Sequence, residues 1–195
     1  MKEKIKHLLT SRKPLEIQRQ GLTPAAVLIP LFCKDNENHL LLTKRTQTMR
    51  HHKGQISFPG GVQNRGSESL ADTAKRETFE EVGIRPEHIE ILGRLDQTIT
   101  IISNFVVTPF VGIIPYPYPI RPNPVEVEEV IELPLSLIID TRNMSNGYFD
   151  HDGQSYPTEC FNYGKHVIWG ATARIIEIFR ATLGKEFQAL TKCLD

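Results

Sequence analysis

Three glutamates in the second half of GGVQNRGSESLADTAKRETFEEVGI (Gly60–Ile84), namely Glu77, Glu80 and Glu81, have the residue type and spacing for metal chemistry. At about 100° per residue they fall within one arc of a helix. Carboxylates placed this way are hard oxygen donors of the kind that hold Mg2+ or Mn2+. Ion pairing explains them only in part. Asp72 and Arg76, and Arg76 and Glu80, stand four residues apart and are spaced to pair. Glu77 and Glu81 are like charges at the same separation and repel by roughly 0.2–0.5 kcal/mol. Gly83 reads as the residue that ends the helix, so these acids also sit at its negative pole, where a cation is favoured over an anion. A bound positive charge would relieve both conflicts.

Upstream lies the complementary charge. From His39 to Ser67 there is no acidic residue, while Lys44, Arg45, Arg50 and Lys53 enclose His51 and His52. An isolated basic run is ordinarily a solvated hairpin loop. Directly before a Phe-Pro-Gly-Gly turn and an acidic helix, it suits a substrate with several phosphates: cations hold the anionic groups, and a carboxylate-bound metal polarises the bond that breaks.

The run RETFEEVGI resembles the second half of the Nudix box, GX5EX7REUXEEXGU with U aliphatic, whose family hydrolyses nucleoside diphosphates linked to another moiety. Arg76, Glu77, Glu80, Glu81, Gly83 and Ile84 match, and Glu68 stands eight residues before Arg76 as the box requires. There are two departures. The glycine expected six residues before Glu68 is Val62, with Gly61 one place early, and Thr78 stands where an aliphatic residue is usual. The segment LLLTKRTQTMRHHKGQISFPGG (Leu40–Gly61) resembles the coenzyme A pyrophosphatase branch of the family, through Leu41, Leu42, Thr43, Arg45, Arg50, His52, Gly54, Phe58, Pro59, Gly60 and Gly61. That branch carries the same one-residue longer spacing. NPVEVEEVIELPL (Asn123–Leu135) and VIWGATARI (Val167–Ile175) look like its later segments, so the resemblance runs from about Ala25 to Phe179.

The resemblance implies roles. Glu77, Glu80 and Glu81 would be ligands of Mg2+ or Mn2+, with a glycine carbonyl, that of Gly61, as a further ligand; the extra loop residue leaves open which glycine supplies it. Arg76 and Glu68 would tie the helix to its loop. The family draws its catalytic base from the box or from a glutamate outside it, which leaves Glu77, Glu80 and Glu126 as candidates. Arg45, Arg50 and His52 are assigned to substrate phosphates, the 3′-phosphate being what separates coenzyme A from plain ADP conjugates. The implied reaction is metal-dependent hydrolysis of the pyrophosphate of coenzyme A or acyl-CoA to 3′,5′-ADP and (acyl-)4′-phosphopantetheine. The rivals are cleavage of another nucleoside diphosphate conjugate or nucleotide triphosphate, and a Nudix-fold module that binds a metabolite without cleaving it. Intact glutamates argue against the last.

The elements that must position these groups read as follows. A short N-terminal helix ends before Pro14, and strands fall near Ala25–Phe32 and His39–Lys44 around the turn-like KDNEN. Gln55–Phe58 is a strand, Ser67–Val82 the acidic helix, and Ile89–Thr100 and Phe105–Ile114 are strands rich in β-branched residues. YPYPIRPNP (Tyr116–Pro124) is neither helix nor central strand, and either borders the ligand site or serves as a connector or docking stretch. Leu133-Pro134 opens a short helix, Gly147–Gly153 is a turn region, Thr158–Tyr163 and His166–Trp169 are strands, and Gly170–Leu183 is an amphipathic helix. Phe161 and Trp169 read as core or wall residues, and His51, His151 and His166 have no metal-type spacing. The resemblance sharpens this α/β alternation to a Nudix-type α/β/α sandwich with a mixed β-sheet and a loop-helix-loop motif, in one domain over residues 1–195 with 1–22 as a helical extension.

The whole chain sets bounds. It has 195 residues, 39% of them hydrophobic and 24% charged, and its 23 basic residues equal its 23 acidic ones, so charge is segregated locally. That pattern favours a small anionic ligand, a nucleotide, over nucleic acid. Cys33, Cys160 and Cys193 are odd in number and lack CxxC spacing, which suggests neither a disulfide framework nor zinc, and a reducing cytoplasm is expected. The first residues lack a signal-type apolar core, and Ala25–Cys33 is too short to span a bilayer, so no membrane partner is expected. A homodimer completes the expectations.

Overall fold

The computed structural model describes residues 1–47, 54–64, 66–100, 103–151 and 153–194. In chain order the elements are α1 (Lys2–Ser11), β1 (Thr23–Lys34), β2 (Glu37–Arg45), β3 (Ile56–Ser57), β4 (Gly60–Val62), α2 (Leu70–Val82), β5 (Glu90–Arg94), β6 (Thr98–Ile99), β7 (Phe105–Ile113), β8 (Val127–Pro134), α3 (Leu135–Ile139), β9 (Met144–His151), β10 (Gln154–Tyr163), β11 (His166–Trp169), α4 (Gly170–Leu183) and α5 (Lys185–Ala189).

One mixed sheet carries the site. Its order is β3-β2-β1-β7-β5, with β8 on β2, β4 on β1 and β6 on β7. β1 and β7 run parallel, and the other pairs of this sheet are antiparallel. β1 reads as a nearly unbroken apolar run because both faces of the sheet are covered, and alternate residues serve opposite cores. Leu28 and Leu41 pack with Ala74 and Val82 of α2, whereas Ile29, Leu40 and Leu42 pack with Ile5 of α1 and Phe179 of α4. Helices on both faces of a mixed sheet make the expected α/β/α sandwich. A separate antiparallel sheet, β11-β10-β9, adjoins it.

Several expected elements shift. The residues before the expected short helix, which had no element assigned, form a strand: β8 pairs with β2 in the register Leu40↔Leu133 and Leu42↔Ile131, and the short helix follows directly at Leu135 with Pro134 as its cap. The glutamates of β8 hid the strand, because they lie on an edge where Glu128 meets Lys44 at 2.6 Å and Glu132 meets Lys34 at 2.6 Å. Gly147–Gly153 belongs largely to β9, paired with β10 from Met144↔Phe161 to His151↔Gln154. The turn is confined to its end, where Gly153 has φ 73°. Ile89–Thr100 divides into β5 and β6, and β3 is shorter than expected. The cysteines also differ from expectation: Cys33 and Cys193, 160 residues apart, form a disulfide, and Cys160 is free and buried. Local spacing cannot report a bridge whose ends are brought together by the C-terminal segment crossing the β1–β2 hairpin.

Candidate active site

The acidic helix α2 is cut cleanly at both ends. Ser69 is its N-cap, accepting from the Asp72 N–H at 3.1 Å and donating to the Asp72 carboxylate at 2.6 Å, so the helix begins at Leu70 and not at Ser67. Gly83 closes it in the left-handed conformation, φ 76°, where a side chain would be strained, and its N–H satisfies the Phe79 carbonyl. The next orphan carbonyls find partners in the proline-rich segment: the Arg121 N–H donates to Val82 O at 2.9 Å and the Asn123 N–H to Glu81 O at 2.8 Å. That segment is therefore packed against the negative pole of the acidic helix. Thr78 fits its departure from the family pattern, since it is fully buried with its hydroxyl donating to Ala74 O at 2.7 Å.

Arg76 organises the helix surface. Its Nε donates to Glu68 at 2.7 Å, its Nη1 to Glu77 at 2.7 Å and Glu80 at 3.1 Å, and its Nη2 to the Val62 carbonyl at 3.2 Å. Glu68 also accepts from the Asn64 N–H and the Thr73 hydroxyl. The Arg76 hydrogen bond, with these donors in support, holds the Glu68 carboxyl down at about 2, and Glu68 in turn raises Arg76. The loop before α2, with its extra residue, is thus stapled to the helix.

The three candidate ligands differ in exposure. Glu81 is 2% exposed, Glu77 16% and Glu80 48%. Glu81 turns toward the sheet, where it accepts from the Thr43 hydroxyl at 3.0 Å and the Gly60 N–H at 3.3 Å, with Arg45 Nη1 at 4.0 Å. Burial pushes its carboxyl up to about 7 against the pull of Gly60, Arg45 and Thr43. Burial also raises Glu77, with Arg76 opposing. Arg76 engages Glu77 and Glu80 while Glu81 bonds to β2 and β4, so among the described residues no three acidic, histidine or cysteine side chains form a closed metal cluster. What the structure does bring together is an oxygen-rich corner. A Cβ at Gly61 would run into the Glu77 carboxylate, and one at Gly60 into the backbone of Val27, so both glycines of the turn are required for close approach.

Arg45, at the end of β2, is the described member of the expected phosphate-binding set; its Nε is buried and has no partner among the described residues. Arg50 and His52 lie outside the described residues. Glu126, on the turn before β8, receives a hydrogen bond from Asn123 Nδ2 at 3.3 Å and lies close enough to Glu77 to disfavour its charge. His166 sits beside Glu129 at 3.3 Å, and Phe161 is core. Sequence reasoning matched Thr43 and Asn123 only as part of the resemblance and gave neither a role in the site. A lone threonine in LLLTKR, two residues before Arg45 and so on the same strand face, was a signal for the first; for the second there was only the Asn-Pro turn.

A mixed sheet between helices, with a loop-helix-loop that gathers glutamates against a Gly-Gly turn, defines a hydrolase of the Nudix class. The NUDIX domain model matches residues 22–143, ending just before β9, and the chain belongs to the Nudix family. Among relatives, it is 39% identical over 152 residues to an uncharacterized Nudix hydrolase, NudL, of Photorhabdus laumondii, covering 78% of this chain and 80% of that one. In fold it is similar to a MutT/nudix family protein of Enterococcus faecalis, with TM-score 0.55 and 16% identity over 94% of this chain and 74% of the other. It is likewise similar to the NUDIX domain of Shewanella oneidensis NrtR complexed with ADP ribose, with TM-score 0.53 and 16% identity over 85% and 90% of the two chains.

Proposed function

We propose that this Nudix hydrolase cleaves the pyrophosphate of coenzyme A or its thioesters, giving 3′,5′-ADP and (acyl-)4′-phosphopantetheine. The observation that carries the reading is the run from Leu40 to Gly61, the part that resembles the coenzyme A branch. Its described residues Thr43, Arg45, Gly60 and Gly61 line the same corner as Glu77 and Glu81. A substrate with a 3′-phosphate beyond its pyrophosphate calls for more cations than a plain ADP conjugate, and the basic run supplies them.

Nudix hydrolases generally use divalent cations, and this corner fits one: its donors are carboxylate and carbonyl oxygens, and the missing side chain at Gly61 leaves backbone against Glu77. Glu77, Glu80, Glu81 and the Gly61 carbonyl would hold it. When bound, the ion supplies charge that polarises the phosphoryl oxygens and steadies the leaving phosphate. Arg45 holds a non-bridging phosphate oxygen. Glu126, outside the helix and facing Glu77, accepts the proton of the attacking water as its oxygen bonds to phosphorus and the bridging P–O bond breaks in line. Glu77 and Glu80 remain the rival bases.

The test is product identification with Mg2+ or Mn2+ and a panel of coenzyme A, dephospho-coenzyme A, NADH, ADP ribose and nucleotide triphosphates. Coenzyme A should be the preferred substrate. Glu81→Gln should lower kcat roughly 10²–10³-fold, the loss of a few kcal/mol of charge stabilisation. Preference for the dephospho compound would sink the substrate reading and leave the hydrolase class intact.

A further inference from the structure

We infer that Asn123 is a positioning residue, which joins the end of the acidic helix to Glu126 and so fixes where the proton-accepting carboxylate stands. The inference rests on the reading of Glu126 as the base. Three sets of bonds meet at this residue. Its N–H donates to the carbonyl of Glu81 at 2.8 Å, so the backbone of a candidate metal ligand and that of Asn123 move together. Its carbonyl accepts from the N–H groups of Glu126 at 3.1 Å and Val127 at 2.8 Å, which shapes the turn into β8. Its side chain does the rest: Oδ1 accepts from the Val125 N–H at 3.1 Å, and Nδ2 faces Glu126 Oε1 at 3.3 Å.

The Val125 bond settles the amide's orientation. With its oxygen committed to a backbone donor, the amide presents only N–H to Glu126. A neutral donor suits the place. Glu126 stands close enough to Glu77 for the two carboxylates to repel, so an unheld Glu126 side chain would turn out to solvent. A lysine or arginine there would set a full positive charge beside it; an amide holds it through a neutral hydrogen bond. The proline-rich loop on which Asn123 sits is stiff and is tied to α2 at Val82 and Glu81, which gives the donor a fixed base.

Asn123→Asp keeps the acceptor for Val125 and replaces the donor with a second carboxylate, so the turn survives and Glu126 is repelled. We expect kcat to fall about 10–100-fold, as for removal of a supporting partner in an active site, with KM within about twofold. In the Glu126→Gln background the same substitution should change kcat by no more than about twofold, because the group it positions is already gone. Asn123→Ser, whose hydroxyl serves the turn but cannot reach Glu126, should behave alike and carries the cycle if the aspartate variant does not fold. Equal losses in both backgrounds, or kcat within twofold of wild type in the single variants, would overturn the positioning role. Full turnover by Glu126→Gln would instead overturn the base reading beneath it.

Discussion

Thr43 shows at the level of one residue how a buried carboxylate is prepared for a cation. Glu81 is almost wholly enclosed, which makes its charged form costly, and the Thr43 hydroxyl and the Gly60 N–H are the donors that orient it. Thr43→Val keeps the volume and removes the hydroxyl. It should weaken divalent-cation activation about 10–100-fold, read as the Mg2+ or Mn2+ concentration giving half-maximal rate; an unmoved midpoint would show that Gly60 alone orients the carboxylate. The glutamates were legible because their identity and spacing are local properties of one helix. Their partners were not: Thr43 is 38 residues from Glu81, and only the packing of α2 against the sheet makes them neighbours.

At the scale of elements, α2 depends on the staple between Arg76 and Glu68. Glu68 falls from its ordinary value of 4.5 to about 2 in the folded chain, so the folded state favours its charged form. Its contribution to stability is therefore complete above about pH 4.5 and is lost as pH falls toward 2. Urea unfolding at pH 7, 5, 4 and 3 should show stability dropping across the last two steps, and Glu68→Gln should be less stable at pH 7 with a flatter dependence below 4.5. A parallel acid profile in the variant would place the titration elsewhere. Elements with strong periodicity, β1, β2, β7, β11 and α4, were readable from sequence because both cores demand apolar residues at fixed intervals. β8 and β9 were not. Their alternation is broken by edge charges and by Gly147, and strand pairing, a non-local interaction, decided them.

Across the whole molecule the C-terminal segment is pinned to the β1–β2 hairpin. Asn38 bonds the carbonyls of Leu190 and Lys192 through its side chain and that of Thr191 through its N–H, and the Cys33–Cys193 disulfide covers the same junction. Closing so long a loop restricts the unfolded chain, so reduction or Cys33→Ser should cost about 2–4 kcal/mol. Thermal unfolding with and without reductant checks this: wild type should lose stability on reduction, and the variant should be low already and indifferent to it. By itself the sequence determined the family, the α/β/α class and the acidic helix, because motif spacing and hydrophobic period are written along a contiguous chain. Tertiary structure alone decided that Glu81 faces Thr43, that the proline-rich loop caps α2, and that two cysteines 160 residues apart are bonded. Each of these joins groups remote in sequence, and only the packing of the sheet brings them within reach.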